Sequence, residues 1–226
     1  EYDQLAQSIF LDMFGDPVSN PKGWEKKKLG DNSLVRSSKR VFTNELVEDG
    51  IPFYRGTEIG QLSEGIDIKP RYFITQDHYE ELKKHTGKPK IGDLLMPSIC
   101  SDGRIHIVQN DEPFYFKDGR VLWIDIDKSK VQSDYLKFFL RVLFKSNYHN
   151  IASGTTFAEL KIVSLKKIKF LSPPIHLQNQ FAEKIALIEQ QKDLAKKELQ
   201  ESEDLFQALL QKAFHPAEKH DESELV

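Results

Sequence analysis

Between Gln178 and Ala213, Phe181, Ile185, Ile188, Ala195, Leu199, Phe206, Leu209 and Ala213 recur at alternating intervals of four and three, interrupted by Lys192 and Ser202. This is a heptad seam. It predicts one straight helix of roughly 54 Å at 1.5 Å per residue. A solitary helix cannot hide such a stripe, so the fold must include a partner for it. The chain opens on a segment of the same kind. LAQSIFLDMF at 5–14 matches LFQALLQKAF at 205–214 at Leu5/Leu205, Gln7/Gln207 and Phe14/Phe214, with Ile9 opposite Leu209. Tyr2, Ala6, Ile9 and Met13 also fall in the phase of Ser202, Phe206, Leu209 and Ala213. The letters alone are within what two unrelated amphipathic helices share, but the seam is preserved with them.

Three changes of pattern divide the chain. The first helical segment is halted by Gly15-Asp16-Pro17, with Gly near the C-cap and Pro beyond it. From Trp24 to Leu171 short apolar runs (IPFYRG, PRYFI, GDLLMPSI, GRIHIV, EPFYF, RVLWIDI) are spaced by Gly, Asp and Pro, as short strands with turns are. Helices are expected at 76–85 and at 133–146, the second starting on Ser133 as N-cap. After Ser172-Pro173-Pro174 the heptad pattern begins. The expected fold class is therefore α+β: a compact mixed strand/helix domain at 19–172, followed by a long coiled-coil helix at 173–214. Residues 1–18 form the tail of a preceding helix and 215–226 a flexible tail.

The net charge of −3 over 226 residues hides a segregation. Between Asn20 and Phe170 stand 26 basic and 20 acidic residues, a net of +6, whereas the remaining ends carry 6 and 15, a net of −9. A basic middle between acidic ends suits a polyanion-binding module on a solvated helical part, although a plain charged surface gives the same count. The single Cys100 cannot form an internal disulfide; it reads as a small buried apolar residue and points to a reducing, cytoplasmic setting. No apolar run approaches the ~20 residues of a membrane span, and the acidic start EYDQ is unlike a signal peptide.

Enzyme signatures are missing from the letters. There is no Walker loop and no dinucleotide fingerprint, and the seven histidines are dispersed without zinc spacing. Glu81-Leu82-Lys83 and Glu159-Leu160-Lys161 each resemble half of a nuclease ExK element, yet such triplets are common in a charged chain and read as solvated surface. No catalytic residue, metal or cofactor is expected.

One stretch is far more specific: SGTTFAELKIVSLKKIKFLSPPIHLQNQFAEKI, residues 153–185. It carries a Gly154-Thr155-Thr156 turn, Leu160, Leu165 and Ile168 on a following strand, Pro173-Pro174, and a helix opening at Gln180. This resembles the segment joining a target-recognition domain to its spacer helix in specificity subunits of Type I restriction–modification enzymes. The family usually has Glu before that Gln; here Asn179 stands there. FGDPVSNPKGWEKKKLGD, YRGTEI at 54–59 and GDLLMPSI…GRIHIV at 92–108 extend the likeness over nearly the whole chain. The resemblance implies a non-catalytic subunit that reads one half of a bipartite site on double-stranded DNA. Its implied partners are a methyltransferase subunit and a restriction subunit. The opening segment then looks like the tail of one spacer helix, followed by one recognition domain and a whole second helix. The helix positions Phe181, Ile185, Ile188, Leu199, Phe206 and Leu209 are expected to bind a partner helix, including that of a second copy in a homodimer. Two other readings remain: a recognition fragment of a fused restriction–methyltransferase enzyme, and a coiled-coil adaptor with no DNA role.

Candidate DNA contacts follow from side-chain chemistry. The run Arg36-Ser37-Ser38-Lys39-Arg40 is a cationic turn with hydroxyls, with Lys39 and Arg40 suited to phosphate oxygens or simply to water. Arg55 and Thr57 are expected on a turn, where Arg55 forks onto guanine or pairs with Glu58. Ser98, Ser101 and Arg104 belong to a polar loop between apolar strands, with Asp102 expected to cap that loop. Thr155 and Thr156 are expected to shape the turn before Pro173.

Overall fold

The seam finds its partner inside the chain. In a computed structural model, which describes residues 2–154 and 158–214, helix α7 runs from Ile175 to Phe214. Helix α1 (Tyr2–Phe14) lies antiparallel along its first half. Phe14 meets Phe181 at 5.5 Å between ring centroids, while eleven residues further along α7 the Lys192 ammonium reaches Asp3 at 3.4 Å. The third wall is α5 (Ser133–Ile151). Phe10, Phe14, Tyr135, Phe138 and Phe181 interlock there, with Phe181 edge-on to three rings and wholly buried. Offset and edge-to-face contacts at these distances are the favoured geometry for aromatic rings.

This packing divides the stripe in two. Phe181, Ile185 and Ile188 were expected to face a partner, but α1 and α5 bury them in the chain's own core. Leu199, Phe206 and Leu209 are 60, 59 and 56% exposed. The lysine that breaks the seam marks the division: Lys192 bridges Asp3 and Glu189 where α1 begins. The side chain of Ala213, the Thr155-Thr156 turn and the tail 215–226 lie outside the described residues.

The strand-rich middle builds three small sheets. Strands β2 (Ser33–Arg36), β5 (Leu94–Pro97), β6 (His106–Ile107) and β8 (Val121–Ile126) form an antiparallel sheet in the order β2-β8-β5-β6. VLWIDI of β8 is apolar on both faces because it is central and covered on both sides, whereas the outer β2 alternates. Strands β3 (Ile51–Tyr54), β4 (Phe73–Ile74) and β7 (Tyr115–Phe116) form the second sheet, with β3 and β7 parallel. In the third, β1 (Lys26–Lys28) pairs with β9 (Lys169–Leu171), bringing the two ends of the domain side by side. Buried Asp93 fastens the first sheet: its carboxylate accepts from Trp123 Nε1 and from the backbone N–H groups of Lys90 and Ile126.

Helix ends follow their chemistry, with two surprises. Helix α4 (Gln76–Thr86) starts on Thr75, whose hydroxyl accepts from the His78 N–H, and stops at Gly87, which takes the left-handed φ of +72°. For α5 the capping residue is Gln132 rather than Ser133. Gln132 Oε1 accepts from the Tyr135 N–H at 2.8 Å, while Ser133 Oγ donates to the Gly92 carbonyl. Buried Gln178 of α7 holds that start from the other side, accepting from the Gln132 N–H and donating to the Pro173 carbonyl. The second surprise is α3 (Gly56–Ser63), a helix where a turn was expected. Two further short helices, α2 (Leu29–Asn32) and α6 (Ile162–Lys167), pack together beside β1.

Candidate nucleic-acid interface

Three separate chain segments converge on one open cleft of about 450 Å3. It is lined by Arg55, Gly56, Thr57, Pro97, Ser98, Ile99, Arg104, Lys117 and Arg120. Helix α3 supplies one wall through its amino-terminal turn, the partly positive end of its dipole. The loop after β5 supplies Ser98 and Arg104, and the turn between β7 and β8 supplies Lys117 and Arg120. Four of the cleft's lining residues are cations and none is a carboxylate. A neighbouring recess shares Arg55 and Thr57 and adds Lys69 and Arg71, with Glu58 and Asp67 beside them.

Each arginine is held by a carboxylate outside the lining. Arg55 pairs with Glu58 at 3.2 Å and stacks on Tyr72 at 4.5 Å; Arg104 pairs with Asp102 at 2.7 Å; Arg120 pairs with Glu159 at 3.3 Å. The Glu58 hydrogen bond holds the Arg55 guanidinium still further above its ordinary range, while the same contact holds the Glu58 carboxyl below its own against the opposing effect of burial. A guanidinium has five N–H donors and a carboxylate engages at most two, so each group is aimed and keeps donors to spare. The side chains of Arg55, Arg104 and Arg120 remain 39, 35 and 60% exposed.

The loop 98–104 is rigidly tied. Ser98, expected to present its hydroxyl, is buried, and its backbone joins the Arg120 carbonyl and the Leu160 N–H at 2.9 and 2.7 Å. Ser101 is exposed at the tip. Asp102 caps the loop by accepting from the Arg104 N–H. Cys100 is buried, and burial pushes its thiol up to about 12, which leaves it inert. The run 36–40 divides. Arg36 lies over the Trp123 ring at 3.7 Å and bonds Thr86 and Asp125, while Ser37 and Ser38 donate to the carbonyls of Val121 and Phe116. These three serve the fold. Lys39 and Arg40 are exposed beside the same turn that carries Lys117 and Arg120, with Arg40 against Asp118.

Residues 21–203 match the family model described as Type I restriction modification DNA specificity domain. The chain belongs to that family. It is 33% identical over 153 residues to a putative type I restriction enzyme specificity subunit of Haemophilus influenzae, covering 67% of this chain and 37% of the relative. Against the type I restriction enzyme MjaIX specificity subunit of Methanocaldococcus jannaschii it is 29% identical over 167 residues, covering 71% and 36%. Among solved structures, the HsdS subunit of Thermoanaerobacter tengcongensis superposes with a TM-score of 0.59 at 18% identity, over 95% of this chain and 51% of that one. A chain from a study of complex assembly in the type I R-M system gives 0.64 at 19%, over 95% and 52%. At such identities the structures speak for the fold. This specificity-domain chain spans little more than a third of the curated relatives' length and about half that of the solved chains.

In this specificity domain the sequence pointed to Arg55, Thr57, Ser98 and Arg104, and these four do line one cleft. It missed Lys117 and Arg120, whose KDGR turn looks like any solvated hairpin. It also missed His106, half-buried where α3, α5 and β6 meet. Burial, helped by Lys137, pushes this imidazole down to about 4 against an opposing backbone hydrogen bond at Leu62. Asp134 and Arg141 of α5, Glu189 and Lys192 of α7, Asp3 of α1 and Glu64 after α3 line the same recess. The unfolded imidazole titrates near 6.5, so the neutral native form is stabilising above that pH, and this contribution is lost as pH falls from about 6.5 towards 4. The slope is at most about 1.4 kcal/mol per pH unit. Urea midpoints at pH 7.5, 5.5 and 4.5 are expected to fall less steeply for His106→Gln than for the parent; parallel curves would remove His106 as the cause.

Proposed function

We propose that this chain is the DNA-reading part of a Type I specificity subunit, in which the basic cleft lies against duplex DNA and reads one half of a split site. The convergence of Arg55, Arg104, Lys117 and Arg120 on one carboxylate-free cleft is the observation that carries this reading. Exposed Thr57 and Ser101 add hydroxyls at its rim. Guanidinium forks match guanine O6 and N7 in the major groove, and flanking lysines neutralise phosphates. Residues 19–172 form the recognition unit and 173–214 the spacer. Methyl transfer and cleavage are assigned to a methyltransferase and a restriction subunit, docked on the helical stem in the cytoplasm, and no cofactor to this chain. The exposed half of α7, with Leu199, Phe206 and Leu209, receives a second helix, here that of a second copy. A two-fold axis through such a pair sets two clefts over inverted half-sites, at a spacing fixed by the rod.

Binding to a duplex selected from a randomised pool, measured across salt concentration, tests the contacts. Alanine at Arg55 or Arg104 is expected to cost about 1–3 kcal/mol on the selected site and to relax preference at one position. Alanine at Lys39 or Arg40 is expected to weaken all sequences alike and to reduce the salt slope by about one. Equal loss on every sequence from Arg104→Ala would reassign it to phosphate.

A further inference from the structure

The two cationic walls of the cleft are tied together by three consecutive residues that never enter it. Ala158, Glu159 and Leu160 follow α5, and a two-way backbone bridge between Ser153 and Glu159, at 2.9 and 2.8 Å, fixes where they lie. Leu160 N–H donates to the Ser98 carbonyl at 2.7 Å, which anchors the loop carrying Ser101 and Arg104. The Glu159 carboxylate holds Arg120 at 3.3 Å, on the turn that also carries Lys117. Ala158 is joined through Tyr148, whose buried hydroxyl donates to the Ala158 carbonyl at 3.0 Å or the Ser98 carbonyl at 3.2 Å and accepts from the Cys100 N–H at 2.9 Å. The Ser98 N–H donates to the Arg120 carbonyl and closes the ring.

From this geometry we infer that Glu159 and Tyr148 are positioning residues for sequence discrimination: they set the distance and angle between the Arg104 wall and the Arg120 wall without touching DNA. The inference rests on the reading of the cleft as a DNA surface. Base readout depends on donors held in register, because a guanidinium displaced by a fraction of its hydrogen-bond length still meets a phosphate but no longer forks onto a base. The chemistry of the ties fits that task. An exposed Arg–carboxylate pair adds little to stability, so Glu159 acts by aiming Arg120 rather than by holding the fold together. The Tyr148 hydroxyl is the only hydrogen-bonding atom of its ring, so phenylalanine removes the tie and keeps the packing.

The test compares Glu159→Gln and Tyr148→Phe with the full parent chain on two probes, a duplex selected by the parent from a randomised pool and a scrambled duplex of equal composition. Glu159→Gln is expected to lower the preference for the selected duplex about tenfold, which is the loss of one fixed base contact. Scrambled-duplex binding is expected to strengthen, with a salt slope steeper by about one, as the freed Arg120 turns to phosphate. Tyr148→Phe is expected to lose the same preference, with scrambled-duplex binding unchanged. Melting temperatures of both variants separate this from unfolding; Glu159 is part-exposed, so its variant decides the matter if Tyr148→Phe proves unstable. A preference ratio kept at the parent's value in a folded Glu159→Gln overturns the inference, as does an equal fall on both probes. A parent that selects no duplex overturns the reading of the cleft itself.

Discussion

Phe181→Ala is expected to lower the unfolding free energy by about 3–5 kcal/mol, the usual cost of emptying a large aromatic site in a packed core. Phe181 is wholly buried, and its ring centroid stands 5.6, 5.5 and 5.2 Å from those of Phe10, Phe14 and Phe138. Phe10 and Phe14 belong to α1, Phe138 to α5 and Phe181 itself to α7, so the vacated volume lies where three helices meet and no single side chain can move in to fill it. Loss of the edge-on ring contacts adds to the lost transfer free energy. Urea unfolding followed by fluorescence and by circular dichroism measures it. A loss below about 1 kcal/mol would mean that α1 does not hold its place on the long helix.

Leu199→Asp, on the same seam, is expected to do the opposite: to leave unfolding unchanged and to abolish self-association. Leu199 is 60% exposed, and Leu194, Leu205, Phe206 and Leu209 are exposed with it. A contiguous apolar strip on a charged helix marks a surface that another molecule covers. The antiparallel packing of α1 on the first half of α7 shows what such a cover looks like, and the segment 205–214 shares α1's phase and three of its ten residues from 5 to 14. Two copies related by a two-fold axis would offer each other that helix. Ser202 within the seam is expected to keep the association moderate and dependent on concentration. A carboxylate at 199 enters the middle of the strip, where burial would cost it its hydration. Sedimentation at high micromolar concentration, where the parent is expected to dimerise and the variant to remain monomeric, checks this. A strictly monomeric parent, indifferent to the substitution, would reserve the strip for another subunit.

What was legible in the letters follows from how local the causes are. The long helix was readable from its period and the strands from apolar runs between turn residues. The break at Lys192 needed the structure, because its meaning depends on Asp3, at the other end of the chain. Helix α3 looked like a turn because Gly56 and Gly60 weaken any helix. The structure supplies a reason for the second: a Cβ at Gly60 would stand 2.8 Å from Arg104 Nη1, so the small residue gives the guanidinium its bed. Arg36 looked like part of a solvated cationic turn until Trp123, 87 positions later in the sequence, took its face. The cleft itself was half legible. Arg55 and Arg104 stood out as cations next to strands, whereas Lys117 and Arg120 became part of it only through the hydrogen bonds joining their turn to the Ser37 hydroxyl and the Ser98 N–H.

The pairing of β1 with β9 has a consequence for how such proteins diversify. Lys26 lies opposite Leu171, and the Ser172 N–H closes the pair onto the Glu25 carbonyl at 2.8 Å, so the domain leaves the stem and returns to it at almost one point. Neighbouring strands are about 4.8 Å apart, a gap that any other domain ending in such a pair would match. A swap of the chain between these two borders would therefore replace the cleft and leave the helical stem in place. The incoming domain has one obligation: its counterpart of α5 must present aromatic rings, as Tyr135 and Phe138 do here, to the cluster of Phe10, Phe14 and Phe181. On the proposed reading of the cleft, a new sequence preference would then be inherited whole, in a single genetic event.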